Sequence, residues 1–508
     1  MISSQHAPPL ASTNARHNSP NSQLSAAFSF FRTFWQRIIV VSVAMILPCL
    51  WHRHIEAGDL ASHTYNAWLA QLIEKGQAPG LYFSTQWNNI LFDLALSKAG
   101  NWFGFLVAEK IAVGCCVLIF FWGIFSLITA ITGRAPWVIT PAIAMLIYGY
   151  VFNMGFFNYY LSIGLASFAL ALFWRGRNRD QLFAALFMPF VLLAHPLGFL
   201  WLIGTVIYKF LSTRLHRPAR FFLPVMAVGL VATLSWYLAR HPKYQADWPS
   251  QPFILFNGAD QLILYSNRYI VLAVIAFLVA IVFAVTGLFG QGRELTDRKK
   301  FRLALEFYLV SVAVTSLLPQ NLRPTPDGAW IGLLVSRLTI ISAIFGLCVI
   351  GTLPPKKWLF AGWACLATVF FFFLYQDTSR LNRLEANAEA LVKTLPPGTR
   401  VLNTIFAPPD SRMEFIGHVA DRACINHCFS YGNYEPSSGQ FRIRVRPGSP
   451  VVTSSSDDTE DMAAGSYEVQ DEDLPLKEIY QCDDSDLTRL CIRDLVAGEK
   501  NGRLGYRP

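Results

Sequence analysis

Charged side chains are scarce in this sequence. Asp, Glu, Lys and Arg make up 15% of the 508 residues, whereas hydrophobic residues make up 53%. Soluble globular chains carry about 25% charged residues, so the composition excludes an ordinary soluble protein and predicts that a bilayer surrounds much of the chain. The net charge of +9 is not gathered into a basic stripe with interleaved aromatic residues, so no nucleic-acid partner is expected.

Common catalytic signatures are missing as well. The sequence contains no Walker-type loop, no HExxH pair, no GxSxG elbow and no haem motif. Their absence excludes the usual ATPase, zinc protease and serine hydrolase chemistries. No compact set of metal ligands stands out, so the sequence predicts no metal site and demands no cofactor. A divalent cation is the one cofactor that is left open.

The nine cysteines fall into two groups. Five lie in apolar runs and are interpreted as small hydrophobic residues: Cys49, Cys115, Cys116, Cys348 and Cys365. Four lie in a polar region: Cys424, Cys428, Cys482 and Cys491. An even set in a polar region favours two disulfides in an oxidising compartment, with the pairing left open.

Apolar runs organise the chain into three parts. Residues 1–35 are rich in Ser, Asn, Pro and Gln and are predicted to be a disordered cytoplasmic tail. Residues 36–375 are predicted to be an all-α membrane domain of about 11 transmembrane helices, most of them close to the length that a bilayer requires. The runs are 38–51, 103–131, 136–153, 155–174, 182–194, 196–211, 220–239, 269–289, 303–319, 329–352 and 357–375.

The loops between these runs predict the topology. With the N-terminus in the cytoplasm, every cluster of Lys and Arg falls on the cytoplasmic side, as the positive-inside rule requires. Runs 182–194 and 196–211 are short and meet at His195-Pro196, so a single bent helix is the alternative to two crossings. Two crossings are preferred, because one bent helix would put the neighbouring basic clusters on opposite faces. The outward segments are then 52–102, 240–268, 320–328 and 376–508.

Residues 376–508 are predicted to form a small extramembrane α/β or α+β domain. Leu381 to Leu395 has a helical pattern that ends at Pro396, and a strand-like run begins at Arg400. Ser454 to Asp461 is polar and acidic and is interpreted as a surface loop. The count of spans places this domain on the outer side of the membrane. Its four cysteines, which favour an oxidising compartment, agree with that placement.

The outward loop 52–102 is too long for a mere connector. Its apolar residues recur at helical spacing and predict an amphipathic helix on the membrane surface: Tyr65, Trp68, Leu69, Leu72 and Ile73. Asp59 and His63 lie one turn apart on another side of this helix, and Glu56 follows the first span closely. A second short helix is predicted from Ile90 to Lys98.

This architecture resembles the GT-C superfamily of membrane glycosyltransferases, which includes protein O-mannosyltransferases, aminoarabinose transferases and oligosaccharyltransferase catalytic subunits. The shared features are a long first outer loop with surface helices, an early acidic residue, many spans and a C-terminal outer domain. The loop and the segment RACINHCFSYGNYEPSSGQFRIRV also resemble large bacterial membrane proteins of this class. Many members have two adjacent acidic residues in the loop, whereas here Gly58 precedes Asp59 and Glu56 lies three positions away.

The resemblance implies transfer of a sugar from a polyprenyl-phosphate donor to a lipid, glycan or protein acceptor at the outer face of a bacterial plasma membrane. Such chemistry needs a carboxylate for the acceptor and cations for the departing phosphate. Asp59 is the predicted catalytic carboxylate, with N-capping of the following helix as the alternative. His63 and Glu56 are predicted to bind substrate, and for His63 a plain polar-face position is the alternative.

Further binding candidates come from charged residues in or beside the spans. Arg337 lies within an apolar run, where an isolated guanidinium is costly unless it is paired or lines a wet cavity. Arg268 and Arg323 lie at the outer side, where contact with lipid headgroups is the alternative. Glu109 is a possible second carboxylate or an interfacial anchor, and His195 either lines the cavity or serves the turn before Pro196.

The sequence thus predicts a multi-pass bacterial membrane enzyme of the glycosyltransferase class, with membrane lipids and a polyprenyl-phosphate sugar as partners. A transporter or lipid flippase is the main alternative, because buried charges and broken helices also suit a translocation path. A non-catalytic membrane scaffold is the third. Internal inverted repeats, which would favour transport, are not seen in the sequence.

Overall fold

The computed structural model describes residues 20–248, 255–288, 295–324, 330–408, 411–413, 416–483 and 486–502. Two compact units are present, Met1–Leu47 and Pro48–Pro508. The first unit contains the larger part of helix α1, Pro20–Leu50, which begins upstream of the apolar run that predicted it. Residues 1–19 of the predicted tail lie outside the described residues.

Helices dominate the second unit, and each predicted apolar run corresponds to helical structure. Before the C-terminal domain the helices are α2 Leu60–Glu74, α3 Leu91–Phe103, α4 Phe105–Thr132, α5 Thr140–Ile147, α6 Tyr150–Asn153, α7 Phe157–Arg175, α8 Asn178–Ala194, α9 Pro196–Arg214, α10 Arg217–Arg240, α11 Asn267–Leu288, α12 Leu295–Leu317, α13 Leu334–Gly351 and α14 Lys357–Val392. The predicted second helix of the outer loop is α3, which is confirmed. The run 136–153 is broken into α5 and α6 by extended backbone at Gly149.

Seven helices among the described residues are long and apolar enough to cross a bilayer: α4, α7, α9, α10, α11, α13 and α14. Large hydrophobic side chains on α10, including Phe221, Met226, Leu230 and Trp236, are exposed on the outside of the bundle. A soluble protein rarely exposes so continuous an apolar surface, whereas lipid tails solvate it well. The chain is therefore a mostly helical membrane protein, as the composition predicted.

Close packing of α4 and α7 forms the centre of the bundle. A Cβ atom on Gly123 would lie 2.4 Å from the Gly164 carbonyl oxygen, so only glycine allows the two helices to approach this closely. One turn away, Phe120 stacks on Tyr160 with ring centroids 4.0 Å apart. Small residues that let backbones meet are the common solution for packing helices in a membrane.

Helices α7, α8 and α9 run alternately up and down. At one end Ser162, near the start of α7, donates a hydrogen bond to the carbonyl of His195, which joins α8 to α9. At the other end Lys209 on α9 donates to the carbonyl of Trp174 on α7. Both α7 and α9 therefore run away from His195, and α8 returns between them. The geometry is a helical hairpin rather than one bent helix.

The basic clusters gather at the end of the bundle away from His195, which we call the basic end. Arg134 donates to the Thr352 carbonyl, and Lys300 donates to the Thr132 carbonyl. Arg220 lies 3.5 Å from Glu306 of the same α12 that carries Lys300. This grouping agrees with the prediction that these clusters share one side. The opposite end, which carries α2, α3 and the C-terminal domain, is called the domain end.

The C-terminal domain is built on a mixed four-stranded sheet in the order β5-β4-β7-β8. Three short strands precede the domain in the chain: β1 Leu81–Phe83, β2 Gln245–Asp247 and β3 Asn321–Arg323. The strands and helices of the domain are β4 Arg400–Thr404, α15 Val419–Ala423, β5 Phe429–Ser430, α16 Tyr434–Ser437, β6 Ile443–Val445, α17 Ser456–Ala464, β7 Leu476–Gln481 and β8 Leu490–Leu495. Strand β4 is parallel to β5 and β7, whereas β7 and β8 are antiparallel. Two cysteine pairs lie at disulfide distance, Cys424–Cys428 and Cys482–Cys491.

Three details of this region differ from the sequence interpretation. The predicted boundary at residues 375 and 376 falls inside α14, which runs unbroken into the domain. The prediction of a surface loop from Ser454 to Asp461 is wrong, because α17 begins at Ser456. The Ser455 side chain caps this helix by accepting a hydrogen bond from the Asp458 N–H. Helix α2 is also not a surface helix, since Leu60 to Ala70 are all buried.

The buried α2 is covered by the C-terminal domain. The Tyr65 hydroxyl accepts a hydrogen bond from the Ser430 N–H, and Trp68 stacks on Phe429 at 5.9 Å. Strand β1 of the outer loop pairs with β6 of the domain. The apolar face that predicted membrane contact is therefore buried in protein, and the outer loop and the domain form one body.

Candidate functional site

A cavity of about 690 Å³ opens at the domain end. Its walls come from the outer loop, from α7, α9 and α13, and from the segment after α16. Four of the predicted site residues line it, namely Asp59, His63, His195 and Arg337. The other lining residues are Gln86, Asn88, Asn89, Phe156, Asn158, Tyr159, Pro196, Leu197, Pro324, Ile331, Ser438, Gly439, Gln440 and Phe441.

Asp59 is held by the backbone of the turn between α6 and α7. Its N–H donates to the Met154 carbonyl at 3.1 Å, and a Cβ on Gly155 would lie 2.5 Å from the Asp59 nitrogen. Because Gly155 has φ +80°, glycine is required there for conformation as well as for space. The Asp59 side chain makes no capping hydrogen bond to α2. Its carboxylate is therefore available to the cavity, where it is 24% exposed.

Arg337 supplies a positive charge without a close carboxylate. It lies in the first turn of α13, nearer the domain end than its position in the apolar run 329–352 indicated. Its guanidinium lies over the Phe156 ring at 4.0 Å, and its Nε is buried with no hydrogen-bond partner among the described residues. No Asp or Glu of the described part of the chain lies within 4.0 Å of it. Such a buried cation has capacity for an anionic ligand.

His63 lies between two carboxylates on the cavity wall. Its Nδ1 is 2.8 Å from Asp93 on α3 and 3.5 Å from Glu435 on α16. Burial lowers the pKa of His63, but Asp93 and Glu435 outweigh burial and raise the pKa to about 10. Burial raises the pKa of Glu435 to about 7, despite the opposing charge of His63. His63 is therefore an imidazolium that joins the outer loop to the domain.

A second histidine approaches Asp59 from behind the cavity. His418 Nδ1 lies 2.9 Å from Asp421 Oδ2, and its Nε2 lies 3.7 Å from Asp59 Oδ1. Tyr434 packs on the His418 ring with centroids 5.2 Å apart. Burial opposes a charge on His418, yet the hydrogen bond to Asp421 and the charges of Asp59 and Glu435 raise its pKa above the ordinary value.

Amide side chains also line the cavity. Gln86 donates to Asn88 at 2.7 Å, and Asn158 donates to Asp93 at 2.8 Å. Asn89 has φ +56°, a conformation that asparagine tolerates better than most residues. Gln440 brings a further amide from the C-terminal domain. Amides both donate and accept hydrogen bonds, as recognition of a neutral polyhydroxyl ligand requires.

His195 lines the cavity and also serves the turn. Its Nδ1 accepts a hydrogen bond from the Leu197 N–H at 3.1 Å, which caps α9 after the extended backbone at His195. The ring lies edge to face against Tyr159, with centroids 5.2 Å apart. The two roles that the sequence left as alternatives are thus both present.

Two predicted carboxylates lie away from the cavity in a buried cluster around Arg422. Glu109 Oε2 lies 3.4 Å from the Arg422 Nε, and Glu385 accepts from Arg422 at 3.0 Å. Glu56 accepts from Asn382 at 2.7 Å, and burial raises the pKa of Glu56 to about 6. This cluster joins the outer loop, α4, α14 and the domain, so its contacts hold these elements together.

Two predicted cations also lie outside the cavity. Arg268 pairs with Asp377 at 2.7 Å and lies over the Phe373 ring. Arg323 is in β3, which pairs with β2, and its guanidinium is 5.9 Å from the Trp330 ring. Arg323 directly precedes Pro324, which lines the cavity.

Sequence reasoning missed the residues that the C-terminal domain brings to the site. The spacing of His418 and Asp421 at i and i+3 was the one available signal, since such a pair meets on one helical turn. Nothing local marks Glu435, which meets His63 only because α16 docks on α2. Among the described residues no group of three or more His, Cys, Asp or Glu side chains is arranged to hold a metal ion.

No protein-family model matches this chain, and no curated protein and no solved structure matches it either.

Proposed function

We propose that this protein is a GT-C-type glycosyltransferase of the bacterial plasma membrane, which moves a sugar from a polyprenyl-phosphate donor to an acceptor on the outer face. In this proposal the N-terminus and the basic end are cytoplasmic, and the domain end is periplasmic or extracellular. The observation that carries the proposal is one cavity lined by the Asp59 carboxylate and by the Arg337 guanidinium, whose Nε has no hydrogen-bond partner among the described residues.

The Asp59 carboxylate suits the attacking acceptor, and the Arg337 guanidinium suits the departing phosphate. An acceptor hydroxyl oxygen attacks the anomeric carbon, the bond from that carbon to the phosphate oxygen breaks, and the hydroxyl proton passes to Asp59. Negative charge grows on the departing lipid phosphate, and Arg337 is the cation of the cavity that stabilises it. The amides of Asn88, Asn158 and Gln440 supply hydrogen bonds for the sugar. The products are the glycosylated acceptor and a polyprenyl phosphate.

A lipid flippase is the rival that a specific observation favours. Extended backbone at Gly149 interrupts the apolar run 136–153, and interrupted helices are common in transporters. The rival differs in one chemical respect, because a flippase moves its lipid with the sugar–phosphate bond intact.

The test is donor turnover by purified protein in lipid nanodiscs, with a panel of polyprenyl-phosphate sugars radiolabelled in the sugar and a mixture of outer-face acceptors. The proposal predicts that label leaves the lipid in the presence of wild-type protein. Intact labelled lipid throughout the panel, together with leaflet exchange in proteoliposomes, would instead support the flippase. If the protein shows neither donor turnover nor leaflet exchange, a non-catalytic scaffold is favoured.

A further inference from the structure

We propose that His418 is a positioning residue for Asp59, acting as an imidazolium held between Asp421 and Asp59. The inference rests on the proposed function for its catalytic meaning, but the ion contact itself is tested without turnover. His418 directly precedes α15 in the C-terminal domain, far along the chain from the loop that carries Asp59. The domain would thereby supply a part of the active site that the membrane helices lack.

The geometry defines which nitrogen serves which carboxylate. Nδ1 contacts Asp421 Oδ2 at 2.9 Å, which fixes the ring, and Nε2 is left 3.7 Å from Asp59 Oδ1. Asp421 is itself held, because its other oxygen accepts a hydrogen bond from the Ser430 hydroxyl. A ring fixed at one nitrogen by a carboxylate presents the other nitrogen in a set direction.

Burial keeps this contact from being screened by water. Asp421 is 3% exposed, and His418 and Asp59 are 20% and 24% exposed. Tyr434 covers one face of the imidazole ring. Oppositely charged groups at this separation and burial favour each other's charged form.

The charged groups that raise the pKa of His418 are carboxylates. They are Asp421 on α15, Asp59 before α2 and Glu435 on α16. Their charges favour the imidazolium over the neutral ring and, with the hydrogen bond to Asp421, raise the pKa of His418 above its ordinary value. An imidazolium in this place attracts the Asp59 carboxylate and holds it in a set direction. As pH rises through the raised pKa of His418, that support is lost.

The first measurement is histidine titration by NMR on selectively labelled full-length protein, with the His418 resonance assigned by its loss in His418→Gln. We expect Asp59→Asn to lower the His418 pKa by about one unit, because it removes one of the facing charges. His427, which contacts the Leu395 carbonyl in the same domain, is the internal reference and should not move. An unchanged His418 pKa in Asp59→Asn would overturn the proposal even if turnover is never found.

The second measurement is the kinetics of sugar release for His418→Gln and for Asp421→Asn at a single pH. We expect kcat to fall by about tenfold in both variants with KM near the wild-type value, because Asp59 stays in the cavity but loses the group that holds its direction. A wild-type kcat in both variants would overturn the proposal. Asp421→Asn keeps the test decisive if His418→Gln does not fold. Glu74→Gln, an exposed change on α2, is the control.

Discussion

At the scale of single residues, the site combines a carboxylate that contacts His418 with a cation that has no carboxylate beside it among the described residues. Asp59 lacks a capping bond and Arg337 lacks a carboxylate within 4.0 Å among the described residues. Several other charged side chains near the domain end are paired, as Arg268 is with Asp377 and Arg422 is with Glu385. Unpaired polar groups at a cavity are costly to keep, which is why they mark function.

Replacing Arg337 tests the phosphate role. Arg337→Gln removes the charge and should lower kcat for sugar release by about 100-fold or more, because the developing phosphate charge loses its cation. Arg337→Lys keeps a charge but not the planar guanidinium and should recover part of the rate. Arg383→Gln, an exposed change on α14, is the matched control. Equal rates for Arg337→Gln and wild type would exclude this role.

His63 makes stability depend on pH. Its pKa is raised in the folded protein to about 10, so its stabilising contribution is full below the unfolded pKa of about 6.5 and disappears as pH rises through about 10. The Tm of wild type should exceed that of His63→Gln by a few degrees at pH 6, and the gap should close toward pH 10. A gap that stays constant with pH would contradict the charged contact with Asp93.

At the scale of elements, two of the contacts that fasten the C-terminal domain are buried ion clusters. Arg422 bridges Glu109 and Glu385, and Arg412 reaches Asp260 at 3.3 Å and lies over Tyr150. A buried pair that loses one partner leaves an uncompensated charge. These arginines therefore specify how the domain sits on the helices that form the cavity.

Arg422→Met should destabilise the protein by about 3 kcal/mol, because Glu109 and Glu385 would be buried without their cation. The expected readout is a lower Tm, with increased protease sensitivity of the C-terminal domain. Arg383→Met on the exposed side of α14 is the control. An unchanged Tm would show that the cluster does not fasten the domain.

The helices also show which structural features a local sequence pattern can predict. Long apolar runs predicted α4, α7 and α13 because bilayer length and hydrophobicity are local properties. The helical spacing of Tyr65 and Trp68 correctly predicted α2, but the pattern does not say whether its apolar face meets lipid or protein. The N-cap of Ser455 was a local signal for α17 that the acidic composition obscured.

At the scale of the whole molecule, one end of the bundle carries the cavity and the other carries the basic clusters. The sequence could predict that Asp59, His195 and Arg337 lie on the same side of the membrane, because counting the spans places all three there. The contributions of His418 and Glu435 could not be predicted, since they depend on how a distant domain docks. No local pattern records that docking.

The two ends should lie on opposite sides of the membrane. Lys75→Cys, at the domain end, should react with a membrane-impermeant maleimide on intact cells. Arg179→Cys, at the basic end, should react only after the cells are permeabilised. Both positions are exposed, and wild-type protein reports the background of the native cysteines. The reverse pattern would put the cavity on the cytoplasmic face and contradict the proposed donor.

The most direct test of the central claim is sugar release from a polyprenyl-phosphate donor by Asp59→Asn, compared with Glu74→Gln on the same outer loop. The account predicts that Asp59→Asn lowers kcat by about 100-fold or more, because the acceptor proton has lost its base. Glu74→Gln should match wild type, and both variants should keep the wild-type Tm within a few degrees. Release at the wild-type rate by Asp59→Asn would contradict the account.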